Sequence, residues 1–171
     1  MENGKLKVMD KILTTEQAIE VSKQLQGEGK RIVLVGGCFD LLHIGHLTFL
    51  QKAKEQGDIL LVLVEPDERI EHAKGHGRPI NIQEDRVKIL AAVEGVDYVL
   101  PLQQGMVNAD YDELIKSIKP NIIATTAGDL NRAHKERQAN IIDAKVVDVI
   151  LPIKDQSTTR LIELLRGSYE Y

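Results

Sequence analysis

The chain has few of the residues that define several whole classes of protein. Its one cysteine, Cys38, excludes an internal disulfide framework and the cysteine-rich zinc sites. Tryptophan is absent, and lysines and arginines form no stripe in a chain of net charge -4, so a nucleic-acid surface is not indicated. The sequence shows no apolar run long enough to span a membrane and no secretory pattern. We therefore expect a cytoplasmic protein that uses neither membrane nor nucleic acid.

Aliphatic runs alternate with amphipathic segments along most of the chain. The runs predict strands at residues 32–35, 59–64, 98–100, 122–125 and 146–151. The amphipathic segments predict helices at residues 47–56, 83–93, 111–118, 131–142 and 158–165. Continuous aliphatic strands are typical of parallel sheets that are buried on both faces. The pattern therefore predicts an α/β fold with one Rossmann-like, doubly wound parallel sheet.

The first thirty residues, 1–30, are expected to form a helical extension ahead of the main domain, residues 31–171. Thr14 or Thr15 could cap a helix whose apolar stripe contains Ala18, Val21 and Leu25. We expect this helix to pack on the domain or on a second subunit, which makes a homodimer the predicted assembly. Residues 65–81 are predicted to form the one long polar loop of the chain.

The stretch that follows the first strand carries the strongest chemical signal. Two glycines, Gly36 and Gly37, end the aliphatic run and let the backbone approach a ligand closely. His43 and His46, three residues apart at the start of the next helix, project from similar faces, and Gly45 between them leaves one side clear. Imidazoles beside a helix N-terminus suit a phosphoryl transition state, which needs positioned donors and no nucleophilic side chain.

Three further segments offer functional or purely structural interpretations. Lys74 and Arg78 could clamp a substrate phosphate, or belong to a solvated charged loop. Ser157 or Thr158 caps the last helix and could also receive the outer phosphates of a nucleoside triphosphate. Cys38 is interpreted as a small packing residue and not as a nucleophile.

A metal site is a minor alternative. His72 and His76 are four residues apart, and with the two earlier histidines they would make a set of four imidazoles. Gly75 and Gly77 interrupt the helix that this spacing would need, so no metal-ligating residue is predicted.

The segment from Gly37 to His46, Gly-Cys-Phe-Asp-x-Leu-His-x-Gly-His, and the later Ser-Thr-Thr at 157–159 resemble the hallmarks of the cytidylyltransferase-like nucleotidyltransferases. Lys-Gly-x-x-Arg-Pro at 74–79 and the downstream Arg86 are similar to the group that activates heptose 1-phosphate with ATP. Glycerol 3-phosphate cytidylyltransferases share the early turn. The resemblance covers nearly the whole chain.

The resemblance implies a nucleotidyltransferase that moves AMP or CMP from ATP or CTP to a small phosphorylated acceptor, with Mg²⁺ carried by the triphosphate. It implies catalytic roles for His43, His46 and Arg86. It implies that the nucleotide is bound by Gly37, Cys38, Phe39, Asp40, Gly45, Gly128, Asp129, Ser157 and Thr158. Lys74 and Arg78 are the expected acceptor ligands. A glycerol phosphate or other polyol phosphate or phosphonate acceptor, and a binding protein without turnover, are the alternatives.

The chain departs from the heptose group at two places. Glu65-Pro66-Asp67 stands where that group usually has Asn-Ser-Asp, and Thr126-Ala127-Gly128-Asp129-Leu130 stands where it has Lys-Gly-Gly-Asp-Tyr. Both places follow strands that end near the predicted site, so we expect them to affect which acceptor is used.

Overall fold

A five-stranded, all-parallel sheet forms the centre of the protein in a computed structural model that describes residues 7–153 and 157–167, the last three of these by backbone alone. The strands are β1 (Ile32–Gly37), β2 (Ile59–Val64), β3 (Tyr98–Pro101), β4 (Ile122–Thr126) and β5 (Lys145–Ile150). Their order in the sheet is β3-β2-β1-β4-β5. The predicted doubly wound parallel sheet is confirmed.

Helices cover both faces of the sheet. They are α1 (Thr15–Gly27), α2 (Ile44–Lys54), α3 (Asp67–Lys74), α4 (Gln83–Ala92), α5 (Asn108–Ile118), α6 (Arg132–Ile142) and α7 (Thr158–Gly167). Successive strand residues point to opposite faces, so Val33 and Val35 pack with α2 and α4, whereas Ile32 and Leu34 pack with α1, α5 and α6. No helix in the described part of the chain is long and apolar enough to cross a membrane.

The leading helix is an integral part of the domain core. Thr14 caps α1 in a reciprocal capping box with Gln17. Ala18 on this helix is fully buried in the core layer that also contains α5. The backbone N–H of Leu13 donates to the carbonyl of Val99 (2.9 Å), which ties the chain ahead of α1 to the edge strand β3. Residues 1–6, which the predicted extension includes, lie outside the described residues.

The predicted loop at 65–81 is wrong for half its length, because α3 occupies Asp67–Lys74. Two acidic residues in the first turn, Asp67 and Glu68, and Lys74 in the last turn complement the helix dipole. Gly75 ends the helix with a φ of 91°. Ile70 is the one fully buried side chain of α3, so the segment lacks the apolar stripe by which helices are recognised in a sequence.

A crevice opens where the sheet changes its winding direction, between β1 and β4. These two strands pair at Val33 with Ile122 and at Leu34 with Ile123, and no pairing continues to their carboxyl ends in the described structure. In contrast, β1 and β2 stay paired up to Gly37 and Val64. Ligands of doubly wound sheets bind at such a switch point, so the fold places the candidate site beside Gly37 and Thr126.

Candidate active site

A cavity of about 510 Å³ lies in this crevice and gathers nearly all of the predicted site residues. Its walls come from the ends of β1 and β4, the start of α2, the segment that follows α3 and the start of α7. The predicted residues that line it are Gly37, Cys38, Phe39, Asp40, His43, Gly45, His46, Lys74, Arg78, Gly128, Asp129, Ser157 and Thr158. Arg86 is absent from the lining.

His43 and His46 stack face to face at the start of α2. Their ring centroids are 3.9 Å apart, with an angle of 26° between the ring planes. His43 is the N-cap residue, and its Nδ1 accepts a hydrogen bond from the backbone N–H of Gly45 at 3.1 Å. This bond leaves Nε2 as the protonated nitrogen of the neutral ring. A neutral His43 is therefore a hydrogen-bond donor through Nε2.

Burial keeps both imidazoles neutral near pH 7. It lowers the pKa of His43, and it lowers the pKa of His46 to about 4, with the neighbouring His43 as a second cause. Nδ1 of His46 is buried and has no hydrogen-bond partner among the described residues. A neutral imidazole that lines a cavity can donate a hydrogen bond to a ligand that brings its own negative charge and hydrogen-bond acceptors.

The glycine turn is held in shape by Phe39. A Cβ atom on Gly37 would lie 3.0 Å from the Phe39 ring, so a side chain here fits only if that ring shifts by a few tenths of an ångström. A Cβ on Gly36 would meet nothing closer than the Cβ of Leu63 at 3.8 Å, which is an ordinary contact. Packing therefore disfavours a side chain at position 37, but not at position 36. Gly36 leaves space in the cavity itself.

Asp40 fastens the segment after α3 to the histidine turn. Its carboxylate is buried and accepts hydrogen bonds from Arg78 Nε (2.8 Å) and from the backbone N–H groups of Ile80 (2.8 Å) and Asn81 (2.9 Å). The Asn81 side chain donates to the Asp40 carbonyl (3.0 Å). The Arg78 guanidinium thereby lines the cavity beside the two histidines.

The structure does not support the expected contact between Arg86 and a triphosphate. This guanidinium is completely buried, and it donates to the carbonyls of Cys38 (2.5 Å), Glu65 (2.8 Å) and Asn81 (3.0 Å) and to the Asp67 carboxylate (2.6 Å). These four partners belong to the segments that follow β1 and β2. The interpretation as a solvated helix cation is wrong, because the side chain is completely buried. Arg86 therefore lies outside the cavity and holds in place the segments that carry Cys38 and Glu65.

Lys135 on α6 also lines the cavity. It belongs to the basic segment 131–135, which the sequence offers as a possible source of cations for a phosphorylated acceptor. Its ammonium group donates to Asp129 (2.6 Å) and to the hydroxyl of Thr125 (2.9 Å). The same lysine lowers the pKa of the Asp129 carboxyl against the opposing effect of burial. The sequence signal was the basic run at 131–135, although nothing in it singles out Lys135.

The start of α7 also lines the cavity. Ser157 caps this helix, since its hydroxyl accepts from the backbone N–H of Arg160 (3.1 Å). The Thr158 hydroxyl donates to the Leu41 carbonyl (3.3 Å), which joins the helix start to the histidine turn. Free N–H groups at a helix start attract phosphate oxygens, so the capping and phosphate-binding interpretations are compatible.

The histidines of the metal alternative do not come together. His72 lies on α3, and the His76 side chain is 99% exposed, 3.0 Å from Glu71. Among the described residues, no group of three or more histidine, cysteine, aspartate or glutamate side chains is placed to hold a metal ion. Burial raises the pKa of the Cys38 thiol, which agrees with a packing role.

The parallel sheet, the glycine turn and the stacked histidines define a nucleotide-binding α/β domain. A family model described as cytidylyltransferase-like matches residues 34–164, and the chain belongs to this family. It is therefore a nucleotidyltransferase domain.

The relatives of the chain include much longer proteins. It is 45% identical over 147 residues to the "Bifunctional protein HldE" of a Nitratiruptor species, a match that covers 86% of this chain and 30% of that protein. The corresponding protein of Sulfurimonas denitrificans is 38% identical, over 89% of this chain and 30% of its own length. The chain thus spans about 30% of the length of these curated relatives.

Among solved structures, the chain is similar to the lipopolysaccharide core biosynthesis protein from Thermoplasma volcanium. The TM-score is 0.60 at 26% identity, and the match covers 74% of this chain and 100% of the other.

Proposed function

We propose that this domain transfers AMP from ATP to a small phosphorylated acceptor such as a sugar phosphate and releases pyrophosphate. One observation carries the proposal: His43, His46 and the start of α7, with Ser157, all line the same cavity beside the glycine turn. Two segments that both carry hydrogen-bond donors and line one cavity suit a bound triphosphate.

In the proposed reaction, an oxygen of the acceptor phosphate attacks the α-phosphorus of ATP. The new P–O bond forms as the bond to the β-phosphate oxygen breaks, and the electron pair leaves with pyrophosphate. The acceptor phosphate is already ionised near pH 7, so no side chain has to remove a proton from it. Nε2–H of His43 would donate to an α-phosphate oxygen as negative charge shifts there.

Mg²⁺ is proposed to arrive with the triphosphate. Mg²⁺ prefers oxygen ligands and usually joins one or two carboxylates to substrate phosphates. The two carboxylates that line the cavity in the described part of the chain are Asp40, which is bound to Arg78, and Asp129, which is bound to Lys135. Since both are already neutralised, the phosphate oxygens would supply most of the ligands, and the ion would offset charge on the leaving pyrophosphate.

The test is pyrophosphate release by purified protein with Mg²⁺ and either ATP or CTP, against a panel of sugar phosphates, polyol phosphates and phosphonates. We expect ATP with a sugar phosphate to be the productive pair. CTP with a polyol phosphate or phosphonate would replace the first assignment with the cytidylyltransferase alternative. Nucleotide binding without pyrophosphate release from any pair would favour a binding protein without turnover.

Variants of the two histidines link turnover to this cavity. His43→Ala and His46→Ala should fold and lose at least about a hundredfold in kcat, because each removes a donor from the reacting phosphate. His76→Ala is the matched control, since that imidazole is fully exposed and does not line the cavity. Normal rates in both active-site variants would refute the proposal.

A further inference from the structure

A second cavity, of about 430 Å³, lies beside the first and shares part of its wall. Gly36, Gly37 and the cations Lys74 and Lys135 line both cavities, so they mark the boundary between them. Glu65, Arg69 and Tyr111 line the second cavity and not the first. The second cavity therefore combines the two cations of the shared wall with an acid, a basic side chain and a phenol that do not line the first cavity.

Glu65, Arg69 and Tyr111 form one connected group, the acceptor wall. The Tyr111 hydroxyl donates to Glu65 Oε2 at 2.7 Å, and Arg69 Nε lies 3.4 Å from the same oxygen. The Arg69 guanidinium carbon lies 4.9 Å from the centre of the Tyr111 ring. Burial and the bond to Glu65 raise the pKa of Tyr111 far above its ordinary value, so the phenol keeps its proton. Glu65 Oε1 accepts no hydrogen bond within the described structure.

The wall shared by the two cavities and the acceptor wall differ in net charge. Lys74 has no ion-pair partner among the described residues, so the boundary end carries a positive charge that can attract a phosphate. At the acceptor wall, the charges of Glu65 and Arg69 cancel. A second phosphate there would face the Glu65 carboxylate, and an ammonium group would face Arg69. A hydroxyl carries no charge and can donate to the free Oε1.

We propose that Glu65, Arg69 and Tyr111 determine acceptor specificity, by selecting a molecule with one phosphate and an uncharged, hydroxylated tail. The phosphate lies at the boundary near Lys74, and a tail hydroxyl donates to Oε1 of Glu65. This inference rests on the proposed function, because the second cavity matters only if an acceptor meets the nucleotide at the shared wall.

The test compares acceptors that differ at one end. Aldose 1-phosphates are the hydroxylated monophosphates, the corresponding aldose bisphosphates add a second charge, phosphoethanolamine adds an ammonium group, and methyl phosphate has no hydroxyl. Steady-state kinetics give kcat and KM for each acceptor and for the nucleotide. We expect the wild-type protein to have its highest kcat/KM with an aldose 1-phosphate.

Glu65→Gln removes the negative charge and leaves the shape of the side chain unchanged. For the best aldose 1-phosphate, we expect kcat/KM to fall by about tenfold, mostly through KM. The hydrogen bond from the tail hydroxyl to the Glu65 carboxylate is replaced by a weaker bond to an uncharged amide. The ratio of bisphosphate to monophosphate use should rise, because Arg69 then lacks its counter-charge. The rate with methyl phosphate and the KM for nucleotide should stay within about twofold. Glu84→Gln is the matched control, since Glu84 is exposed and pairs with Lys88 outside both cavities.

The outcomes separate this inference from the proposed function. A wild-type preference for phosphoethanolamine or a bisphosphate, or a Glu65→Gln effect that is equal for all acceptors, overturns the inference while nucleotidyl transfer stands. Absence of pyrophosphate release with every acceptor refutes the proposed function. In that case, calorimetric binding of aldose 1-phosphates to wild-type and Glu65→Gln protein still decides the inference, and equal affinities overturn it.

Discussion

Acidification from pH 7 to pH 4 tests the burial of His46. Its pKa is about 4 in the folded protein and about 6.5 in an unfolded chain. Between these values, the unfolded chain binds a proton that the folded protein excludes, so the free energy of unfolding falls as the pH falls. A difference of about 2.5 pKa units at about 1.36 kcal/mol each gives a loss of about 3 kcal/mol, complete near pH 4 and absent above about pH 7.

The assay is urea unfolding of wild-type and His46→Gln protein at several pH values from 7 to 4. Other groups titrate in both proteins, so the difference between the two curves isolates His46. We expect wild-type protein to lose about 3 kcal/mol more than the variant over this range. An NMR titration in which the His46 ring changes protonation near pH 6.5, or parallel pH curves for the two proteins, would refute the reasoning.

The same imidazole should respond to the proposed ligand. A triphosphate beside His46 stabilises the charged ring and raises its pKa. Binding of Mg²⁺–ATP at pH 5 should therefore be accompanied by proton uptake, which appears in calorimetry as a binding enthalpy that depends on the ionisation enthalpy of the buffer. An enthalpy that is the same in two buffers would show that the bound phosphates do not reach this ring.

Three further single-residue variants test the packing and hydrogen bonds around the site. Gly36→Ala should fold normally, because its Cβ meets only Leu63 at 3.8 Å, and should weaken nucleotide binding at least about tenfold by calorimetry. Arg86→Met should cost about 3–5 kcal/mol in urea unfolding, because it leaves three carbonyls and the Asp67 carboxylate without their donor. Asp40→Asn should cost about 1–3 kcal/mol in the same assay and slow turnover, because it weakens the attachment of Arg78 and residues 80–81.

The position of the site could be predicted because the sheet is parallel. His43 and Ser157 are more than a hundred residues apart in sequence, yet each follows a strand whose carboxyl end lies at the same edge. A motif after one strand therefore predicts where motifs after the other strands will lie. The helix limits were less predictable, as α2 begins at Ile44, three residues before the expected start, because His43 provides an unusual cap.

The role of Arg86 could not be predicted from residue type alone, since a charged side chain in a helix is usually exposed. Its spacing carried a signal, because Arg86 lies four residues before the buried Leu90 and therefore on the same face of α4. What the sequence could not supply was the set of carbonyls that satisfy the buried guanidinium. The carbonyl of Asn81 lies five residues away, but those of Cys38 and Glu65 come from two distant loops whose positions depend on the sheet.

Arg86 has a position that links the two cavities. Its guanidinium binds the carbonyl of Cys38, which follows the glycine turn, and the carbonyl of Glu65, whose side chain belongs to the acceptor wall. In-line attack depends on the distance and angle between two bound phosphates more than on any reactive side chain. A fully buried guanidinium that fixes both loops to one another would therefore support the proposed reaction by keeping the two cavities in a constant relative position.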